Sequence, residues 1–408
     1  MSSVVDRFIR YVRIDTQSAP DQENSPSTAK QLDLSRLLVA ELTALGLTRV
    51  QLDDKGFVTA TLPGNTGKPA PVIGLIAHVD TTPDFSGCGV NPQFVRNYDG
   101  GDIVLQADPR IVLSPRDFPE LLQYRGQTLI TTDGTTLLGA DDKAGVAEIM
   151  AALQLLVENP HLPHPTVRVA FTPDEEVGVG ATRFDVDGFG ADFAYTVDGG
   201  ELGDLSFETF NAAGARLTVH GRGVHPGSAK GKMIHAANIV HEFLNMIPAD
   251  ERAETTEGRE GFYHLTHLDG GVEEAHAAWI IRDHDSQKFL ERKQLLQNCT
   301  ARINERYGAG TAALDLQDQY YNMREQIEKA FHIVETAQEA MLQVGVQPLV
   351  SPIRGGTDGA QFSFRGLPTP NLFTGGHNYH GKYEYVVVES MEKSVEVIVK
   401  ILEFYAAR

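Results

Sequence analysis

The hydrophobic positions in the first half of the chain follow two alternating patterns. Apolar residues recur at helical spacing over residues 4–12, 28–46 and 143–158. Between these segments lie continuous apolar runs at Val72–Ala77, Thr166–Thr172 and Phe193–Val197. Continuous runs of this length are typical of strands that are buried on both faces of a parallel sheet. The alternation therefore predicts an open α/β sheet with helices packed on it.

The pattern changes near Phe207. The elements predicted beyond this point are a strand at 216–220, a helix at 233–247, strands at 261–268 and 275–282, a helix at 286–306 and a strand at 312–319. This order is βαββαβ, which is typical of a two-layer domain with one covered sheet face. After these elements, a predicted helix at 324–344 resumes the α/β pattern of the first half. We therefore predict one domain from residues 1–207 and 321–408, with a second domain, 208–320, inserted in it.

Composition and charge disfavour several classes of protein. The 408 residues carry a formal net charge of −20, which repels phosphate backbones and disfavours nucleic-acid binding. No apolar stretch approaches the ~20 residues of a membrane span, and charged residues interrupt the amino-terminal segment where a signal peptide is apolar. Two cysteines, Cys88 and Cys299, are too few for a disulfide framework or a cysteine-rich zinc site. We expect a soluble cytoplasmic enzyme.

One histidine and six carboxylates cluster at the predicted strand ends. They are His78 and Asp80 after the first strand, Glu175 and Glu176 after the second, Asp198 after the third, and Asp141 and Asp142 at the start of the helix at 143–158. Because open α/β sheets bind ligands at the carboxyl ends of their strands, these side chains are predicted to converge. So many carboxylates cannot all stay ionised without cations. Imidazole with carboxylates suits zinc, or cobalt and manganese, and the excess of carboxylates suggests two metals sharing one of them.

Two short motifs fit this interpretation, although neither is specific alone. His78 and Asp80 point to the same side of an extended chain, so Asp80 could orient His78 as a metal ligand; the alternative is a strand-end histidine beside a solvated aspartate. Glu175 and Glu176 diverge, so one could bind metal while the other acts as general base; the alternative is a solvated acidic loop. The sequence lacks a complete zincin helix, a nucleophile elbow and a P-loop.

Four segments, taken together and in order, closely resemble a family of di-zinc metallopeptidases. They are Ile76-Ala77-His78-Val79-Asp80-Thr81, Leu138-Gly139-Ala140-Asp141-Asp142-Lys143-Ala144-Gly145, Pro173-Asp174-Glu175-Glu176-Val177-Gly178 and Asn378-Tyr379-His380-Gly381-Lys382-Tyr383-Glu384. The family includes carboxypeptidase G, N-acyl-amino-acid deacylases, dipeptidases and tripeptide aminopeptidases. The segments Thr131–Thr135 and Arg354–Ala360, together with the length, are most similar to the tripeptide aminopeptidases.

The resemblance implies a fold and a reaction. The expected fold is α/β, with a mixed, mostly parallel sheet flanked by helices, as in di-zinc exopeptidases, and an inserted two-layer α+β lid at 208–320. The expected activity is hydrolysis of the N-terminal peptide bond of tripeptides, with two Zn²⁺ per subunit and Co²⁺ or Mn²⁺ as possible substitutes. The expected partner is a small peptide, with neither nucleic acid nor membrane; the oligomeric state is not predicted.

The resemblance also implies roles for individual residues. The expected metal ligands are His78 and Asp198 at one ion, Glu176 and His380 at the other, and Asp141 between the two. Glu175 would be the general base, and Asp80 would orient His78. The family pattern also implies a cis peptide bond between Asp141 and Asp142. His380, rather than the nearby His377, matches the family motif His-x-x-x-Glu, in which Glu384 is the last residue.

Three residues are expected to contact the substrate. By resemblance, His225 would stabilise the developing oxyanion, while Arg282 and Arg354 would bind the C-terminal carboxylate of the peptide. For the two arginines the alternative is ordinary surface ion pairing. The metal ligands do not distinguish an aminopeptidase from a dipeptidase, a carboxypeptidase or an N-acyl-amino-acid deacylase of the family, because all of these share the same metal chemistry. A non-catalytic peptide-binding protein is a more remote alternative, because every expected ligand and Glu175 are present.

Overall fold

The computed structural model describes residues 3–408, which form two compact units. The first unit comprises the residues up to Phe207, Glu325–Ser351 and Thr357–Arg408. The second unit comprises Glu208–Arg324 and Pro352–Gly356. None of the helices in residues 3–408 combines the length and the apolar character that a membrane span requires.

Helices and strands alternate through most of the chain. The helices are α1 (Val4–Val12), α2 (Gln31–Ala44), α3 (Ala140–Glu158), α4 (Gly180–Arg183), α5 (Val186–Phe189), α6 (Ala236–Leu244), α7 (Ser286–Tyr307), α8 (Arg324–Ile327), α9 (His332–Gln343), α10 (Asp358–Phe364) and α11 (Val388–Ala407). The strands are β1 (Thr48–Leu52), β2 (Val58–Leu62), β3 (Ile73–His78), β4 (Gln93–Val95), β5 (Ile103–Val104), β6 (Val112–Leu113), β7 (Leu129–Thr131), β8 (Val167–Thr172), β9 (Phe193–Gly199), β10 (Asp204–Ser206), β11 (Asn211–His220), β12 (Phe262–Gly270), β13 (Glu274–Asp283), β14 (Ala312–Tyr320), β15 (Leu349–Val350), β16 (Asn371–Phe373), β17 (Gly376–His377) and β18 (Tyr385–Val387).

The first unit is built on an eight-stranded sheet in the order β1-β2-β8-β3-β9-β16-β10-β15. β3 runs parallel to β8 and β9, β9 runs parallel to β16, and β10 runs parallel to β15, while the remaining pairs are antiparallel. Every residue of β3 and β8 is buried, as their continuous apolar runs predict. Helix α3 packs on β3 and β9. The predicted mixed, mostly parallel sheet flanked by helices is confirmed.

A smaller sheet of the first unit has the order β17-β18-β7-β4. β18 pairs antiparallel with β17 on one side and with β7 on the other. The loop between β17 and β18 contains His380 and Glu384, and the segment after β7 leads into α3. This sheet therefore brings two segments that are more than 200 residues apart in sequence close to each other.

The second unit has the predicted βαββαβ order, formed by β11, α6, β12, β13, α7 and β14. Its sheet is entirely antiparallel, in the order β12-β13-β11-β14. Burial alternates along β13, and its inward residues, including Trp279, pack with Phe243 of α6 and Leu296 of α7. The two helices thus cover one face of the sheet, as in a two-layer domain.

One predicted element differs in the structure. The helix expected at 324–344 is divided into α8 and α9 by a 3-10 segment at Glu328–Ala330. The backbone keeps right-handed helical angles at Ile327 and Phe331 on either side. The chain therefore changes only its helical hydrogen-bonding pattern, which a hydrophobic spacing does not specify.

Two short segments also belong to a different unit from the one that the predicted domain boundaries gave them. Residues 321–324 and 352–356 belong to the second unit, although the sequence interpretation placed them in the first domain. Asn322 accounts for the first segment, because its side chain accepts the N–H of Thr209 at 3.1 Å and donates to the carbonyl of His284 at 3.1 Å. Arg354 accounts for the second, because it donates to the carbonyl of Gly258 at 2.8 Å.

Gly145 lies at the closest approach of α3 to β9. A Cβ atom at this position would lie 1.8 Å from the carbonyl oxygen of Val197 and 2.5 Å from Oδ1 of Asp142. We expect Gly145→Ala to lower the free energy of unfolding by about 1–3 kcal/mol or more, because a close-packed contact must open. Denaturant unfolding measures this loss. Gly271→Ala is the matched control, since no atom lies within 4 Å of its Cβ position; equal midpoints for the two variants would contradict the expectation.

Candidate metal centre

Five segments of the first unit bring the predicted ligands together. His78 is the last residue of β3, and Asp198 lies near the end of β9. Glu176 follows β8 in the turn that also contains Glu175, while Asp141 is in the first turn of α3 and His380 is between β17 and β18. The parallel strands β3, β8 and β9 therefore present their side chains at one edge of the sheet, where ligands of α/β proteins bind.

The five side chains form two groups that each could hold a metal ion. The first group is His78, Asp141 and Asp198, and the second is Asp141, Glu176 and His380. In the first, Nε2 of His78 lies 2.9 Å from Oδ1 of Asp141 and 3.5 Å from Oδ1 of Asp198. In the second, Nε2 of His380 lies 3.2 Å from Oδ2 of Asp141 and 2.9 Å from Oε2 of Glu176. Asp141 thus offers one oxygen to each group, which is the arrangement of a bridging carboxylate.

The electrostatics of the two groups favour bound cations. Burial raises the pKa of Asp198 to about 6 and that of Glu176 to about 7. Asp141 and Glu176 raise the pKa of His380 to about 11. In addition, Oε1 of Glu176 is buried without a hydrogen-bond partner among the described residues. Because divalent cations would neutralise the carboxylates and fill this vacant acceptor, the donor set fits two such ions.

Asp80 links two of the ligand segments. Its carboxylate accepts the backbone N–H of Glu175 at 3.0 Å and that of Glu176 at 3.2 Å. Nδ1 of His78 lies 3.1 Å from the backbone carbonyl of Asp80 and 3.4 Å from its carboxylate. Asp80 is therefore placed both to orient His78, as predicted, and to fix the turn that contains Glu175 and Glu176.

Glu175 lies beside the ligands but belongs to neither ligand group. Burial raises the pKa of its carboxyl group well above the usual range. A carboxylate with a raised pKa holds an abstracted proton more readily, which suits a general base that later acts as an acid. The geometry is therefore compatible with the predicted role of Glu175.

The backbone at Asp141 has the predicted cis peptide bond to Asp142. The carboxylate of Asp142 accepts the backbone N–H of His78 at 3.2 Å. The segment that contains Asp141 is thereby joined directly to the end of β3.

The structure places His380, and not His377, at the ligand groups. The ring of His377 stacks on Tyr385, and its Nε2 lies 2.8 Å from the hydroxyl of Tyr124. Burial lowers the pKa of His377 to about 4. A neutral histidine with these partners has a packing role in the first unit.

The three predicted substrate contacts lie in the second unit, and none of them is in a ligand group. Nδ1 of His225 accepts the N–H of Gly227 at 3.1 Å. Nη1 of Arg282 donates to the carbonyls of Ala213 and Ile281, and its guanidinium lies over the ring of Tyr320.

Arg354 is more fully engaged than Arg282. Its Nη1 donates to the carbonyls of Gly258 and Glu260, and its Nη2 donates to the hydroxyl of Thr256. Both terminal nitrogens of Arg354 therefore hold a loop of the second unit. Arg282, in contrast, donates its two hydrogen bonds from the single nitrogen Nη1.

Sequence reasoning assigned no role to two buried carboxylates of the first unit. Asp174 has a left-handed backbone (φ 63°) and accepts the N–H of Ser27 and the side-chain amide of Gln31, so it ties the turn after β8 to the start of α2. Asp358 accepts the N–H of Ala181 and the hydroxyl of Thr172, and burial raises its pKa to about 7. Both residues lie within motifs used for the resemblance, but their backbone partners leave no signal in the sequence.

Comparison with known proteins identifies relatives over the full length. The model of peptidase family M20/M25/M40 matches residues 131–403. A Peptidase T of Alkaliphilus oremlandii is 58% identical over 408 residues, which is 100% of both chains. A Peptidase T of Geobacillus thermodenitrificans is 56% identical over 402 residues, which is 98% of both chains.

Solved structures have the same fold. An aminopeptidase PepT from Bacillus cereus matches with a TM-score of 0.79 and 24% identity, covering 99% of this chain and 98% of that one. A tripeptidase from Staphylococcus aureus matches with a TM-score of 0.79 and 21% identity over the same shares. A dinuclear metal-binding peptidase of the M20 family from Bacillus subtilis matches with a TM-score of 0.67 and 12% identity, covering 98% of this chain and 97% of that one.

Proposed function

The chain belongs to peptidase family M20/M25/M40, and from this premise we propose that it is a di-metal aminopeptidase that removes the N-terminal residue of tripeptides. The observation that carries the proposal is the pair of ligand groups sharing Asp141, in a chain 58% identical over its full length to a Peptidase T. We further propose that the native ions are zinc, that the enzyme acts in the cytoplasm and that its partners are small peptides.

The ions would be held by the residues expected from the sequence. His78 and Asp198 would bind one, Glu176 and His380 the other, and Asp141 both. When bound, two such cations polarise the scissile carbonyl and make water a stronger nucleophile at neutral pH.

The side chains of the protein would move the proton. A carboxylate oxygen of Glu175 would take a proton from the attacking water, and would give it to the nitrogen of the departing amine as the C–N bond breaks. Asp80 would keep Glu175 in place through the backbone N–H that it accepts at 3.0 Å. An imidazole N–H of His225 would donate to the carbonyl oxygen as that atom gains negative charge.

Mass spectrometry of the products tests this function. The substrates are a free tripeptide, its N-acetylated form and the matching tetrapeptide, each with zinc present. Release of the N-terminal residue from the free tripeptide alone is the expected result. Cleavage of the acetylated peptide would instead indicate a deacylase or a carboxypeptidase, and rapid cleavage of the tetrapeptide would remove the proposed limit on length.

The proposed role of Arg282 leads to a prediction about the substrate carboxylate. We expect Arg282→Ala to raise the KM for a free tripeptide by about 10- to 100-fold with little change in kcat, because a charged hydrogen bond would be lost. The control substrate is the same tripeptide with a C-terminal amide, which the wild-type enzyme should bind poorly and which the variant should not distinguish from the free acid. If Arg282→Ala keeps the preference for the free acid, Arg282 does not bind the carboxylate, and Arg354→Ala becomes the variant to measure.

A further inference from the structure

Glu384 makes an unusual set of contacts. Its Oε2 accepts the backbone N–H of Leu138 at 2.7 Å and that of Gly139 at 3.0 Å. Its Oε1 accepts the N–H of Ala140 at 2.6 Å and that of Asp141 at 3.3 Å. One carboxylate thus accepts four consecutive backbone N–H groups.

These contacts join two segments of the candidate metal centre. Glu384 is four residues after His380 in the loop between β17 and β18, and it is 1% exposed. The four N–H groups belong to the two residues before α3 and to its first two residues, the second of which is Asp141. Asp141 and His380 belong to the same ligand group. Glu384 therefore connects the loop that contains His380 to the segment that contains Asp141.

Glu384 supplies the acceptors for the N–H groups at the start of α3 and just before it. Gly139 is the N-cap of α3, and the N–H groups at the start of an α-helix have no acceptor within the helix. Leu138, Gly139 and Ala140 are buried, where an unpaired N–H group is costly. A single carboxylate satisfies all four groups, and one of them is the N–H of the metal-ligand candidate Asp141.

We propose that Glu384 is a positioning residue that sets the distance between Asp141 and His380 before any metal binds. The preformed distance lowers the cost of ordering the ligands, so the affinity for metal depends on a residue that does not bind metal itself. The inference rests on the proposed function only for the presence of the two ions.

Zinc affinity of Glu384→Gln is the direct test. A glutamine has a single acceptor oxygen, and its amide N–H groups would face two of the four backbone donors. We expect competition with a chromophoric chelator to give about 10- to 100-fold weaker binding of the more weakly held zinc ion. Glu389→Gln is the matched control, because Glu389 lies five residues away and accepts a backbone N–H from Thr128 outside the ligand groups; its zinc affinity should equal that of wild type.

Thermal unfolding of the metal-free proteins distinguishes a purely structural role of Glu384 from a role in positioning the metal ligands. If Glu384→Gln melts earlier than wild type but the folded variant binds both zinc ions with unchanged affinity, the proposal is overturned. If wild-type protein binds no divalent ion at all, it is the proposed function that fails, and this outcome is distinguishable because it does not involve the variant.

Hydrogen exchange of the wild-type protein decides the question even if the variant does not fold. We expect the amides of Leu138–Asp141 to exchange slowly, over minutes to hours, in the metal-free protein and to change little when zinc is added. Rapid exchange without zinc and slow exchange with it would mean that the metal, and not Glu384, orders this segment.

Discussion

Glu175→Gln is expected to lower kcat for tripeptide hydrolysis by about 10²–10⁴-fold, which is the range for loss of a general acid–base group. The amide cannot accept the proton of the attacking water, whereas its size matches that of the carboxyl group. Because Glu175 lies outside both ligand groups, zinc content should remain at the wild-type value. The KM should change much less than kcat.

Steady-state kinetics with zinc analysis of the same sample measures both quantities. Glu175→Asp is the informative companion, because it keeps a carboxylate at a shorter reach and should retain part of the activity. A Glu175→Gln enzyme with wild-type kcat and two bound ions would show that another group moves the proton.

Asp141→Ala is expected to lower kcat/KM on the order of 10³-fold or more, with both ions lost from the protein. The reason is geometric, since Asp141 offers one oxygen to each ligand group. Loss of both cations removes several kcal/mol of transition-state stabilisation. In contrast, Asp198 and Glu176 each belong to a single group, so Asp198→Ala and Glu176→Ala should each weaken one ion.

Zinc content after dialysis, followed by titration with added zinc, distinguishes these variants. High zinc should restore part of the activity of Asp198→Ala and Glu176→Ala but should not restore that of Asp141→Ala. Retention of one tightly held ion by Asp141→Ala would argue that Asp141 is not shared between two ions.

The central part of the fold could be predicted from the sequence because its signals are local. The buried strands β3, β8 and β9 are continuous apolar runs, and the βαββαβ order of the second unit follows from hydrophobic spacing. The strand ends then place His78, Glu176 and Asp198 at one sheet edge without any knowledge of tertiary structure. Choosing His380 over His377 needed the resemblance to a family, because the two residues are only three positions apart.

The rest depends on contacts that a sequence does not encode locally. Residues 84–135 have no clear hydrophobic period, yet β4 and β7 within them join a sheet with β17 and β18. The partners of Asp174 and Glu384 include backbone N–H groups, which are the same for every residue type except proline. The engagement of Arg354 with a loop of its own unit was likewise not foreseen.

The hydrogen bonds around the ligands have a consequence for how such a sequence can change in length. Asp80 lies two residues after His78, and its carboxylate accepts the backbone N–H of Glu176. Asp142 is next to Asp141 and accepts the N–H of His78. Glu384 lies four residues after His380 and accepts the N–H of Asp141. Each of these three motifs therefore contains one metal ligand and one carboxylate that supports another ligand motif. Insertions or deletions should be tolerated in the long stretches between motifs, whereas a single residue added between His380 and Glu384 would shift two segments at once.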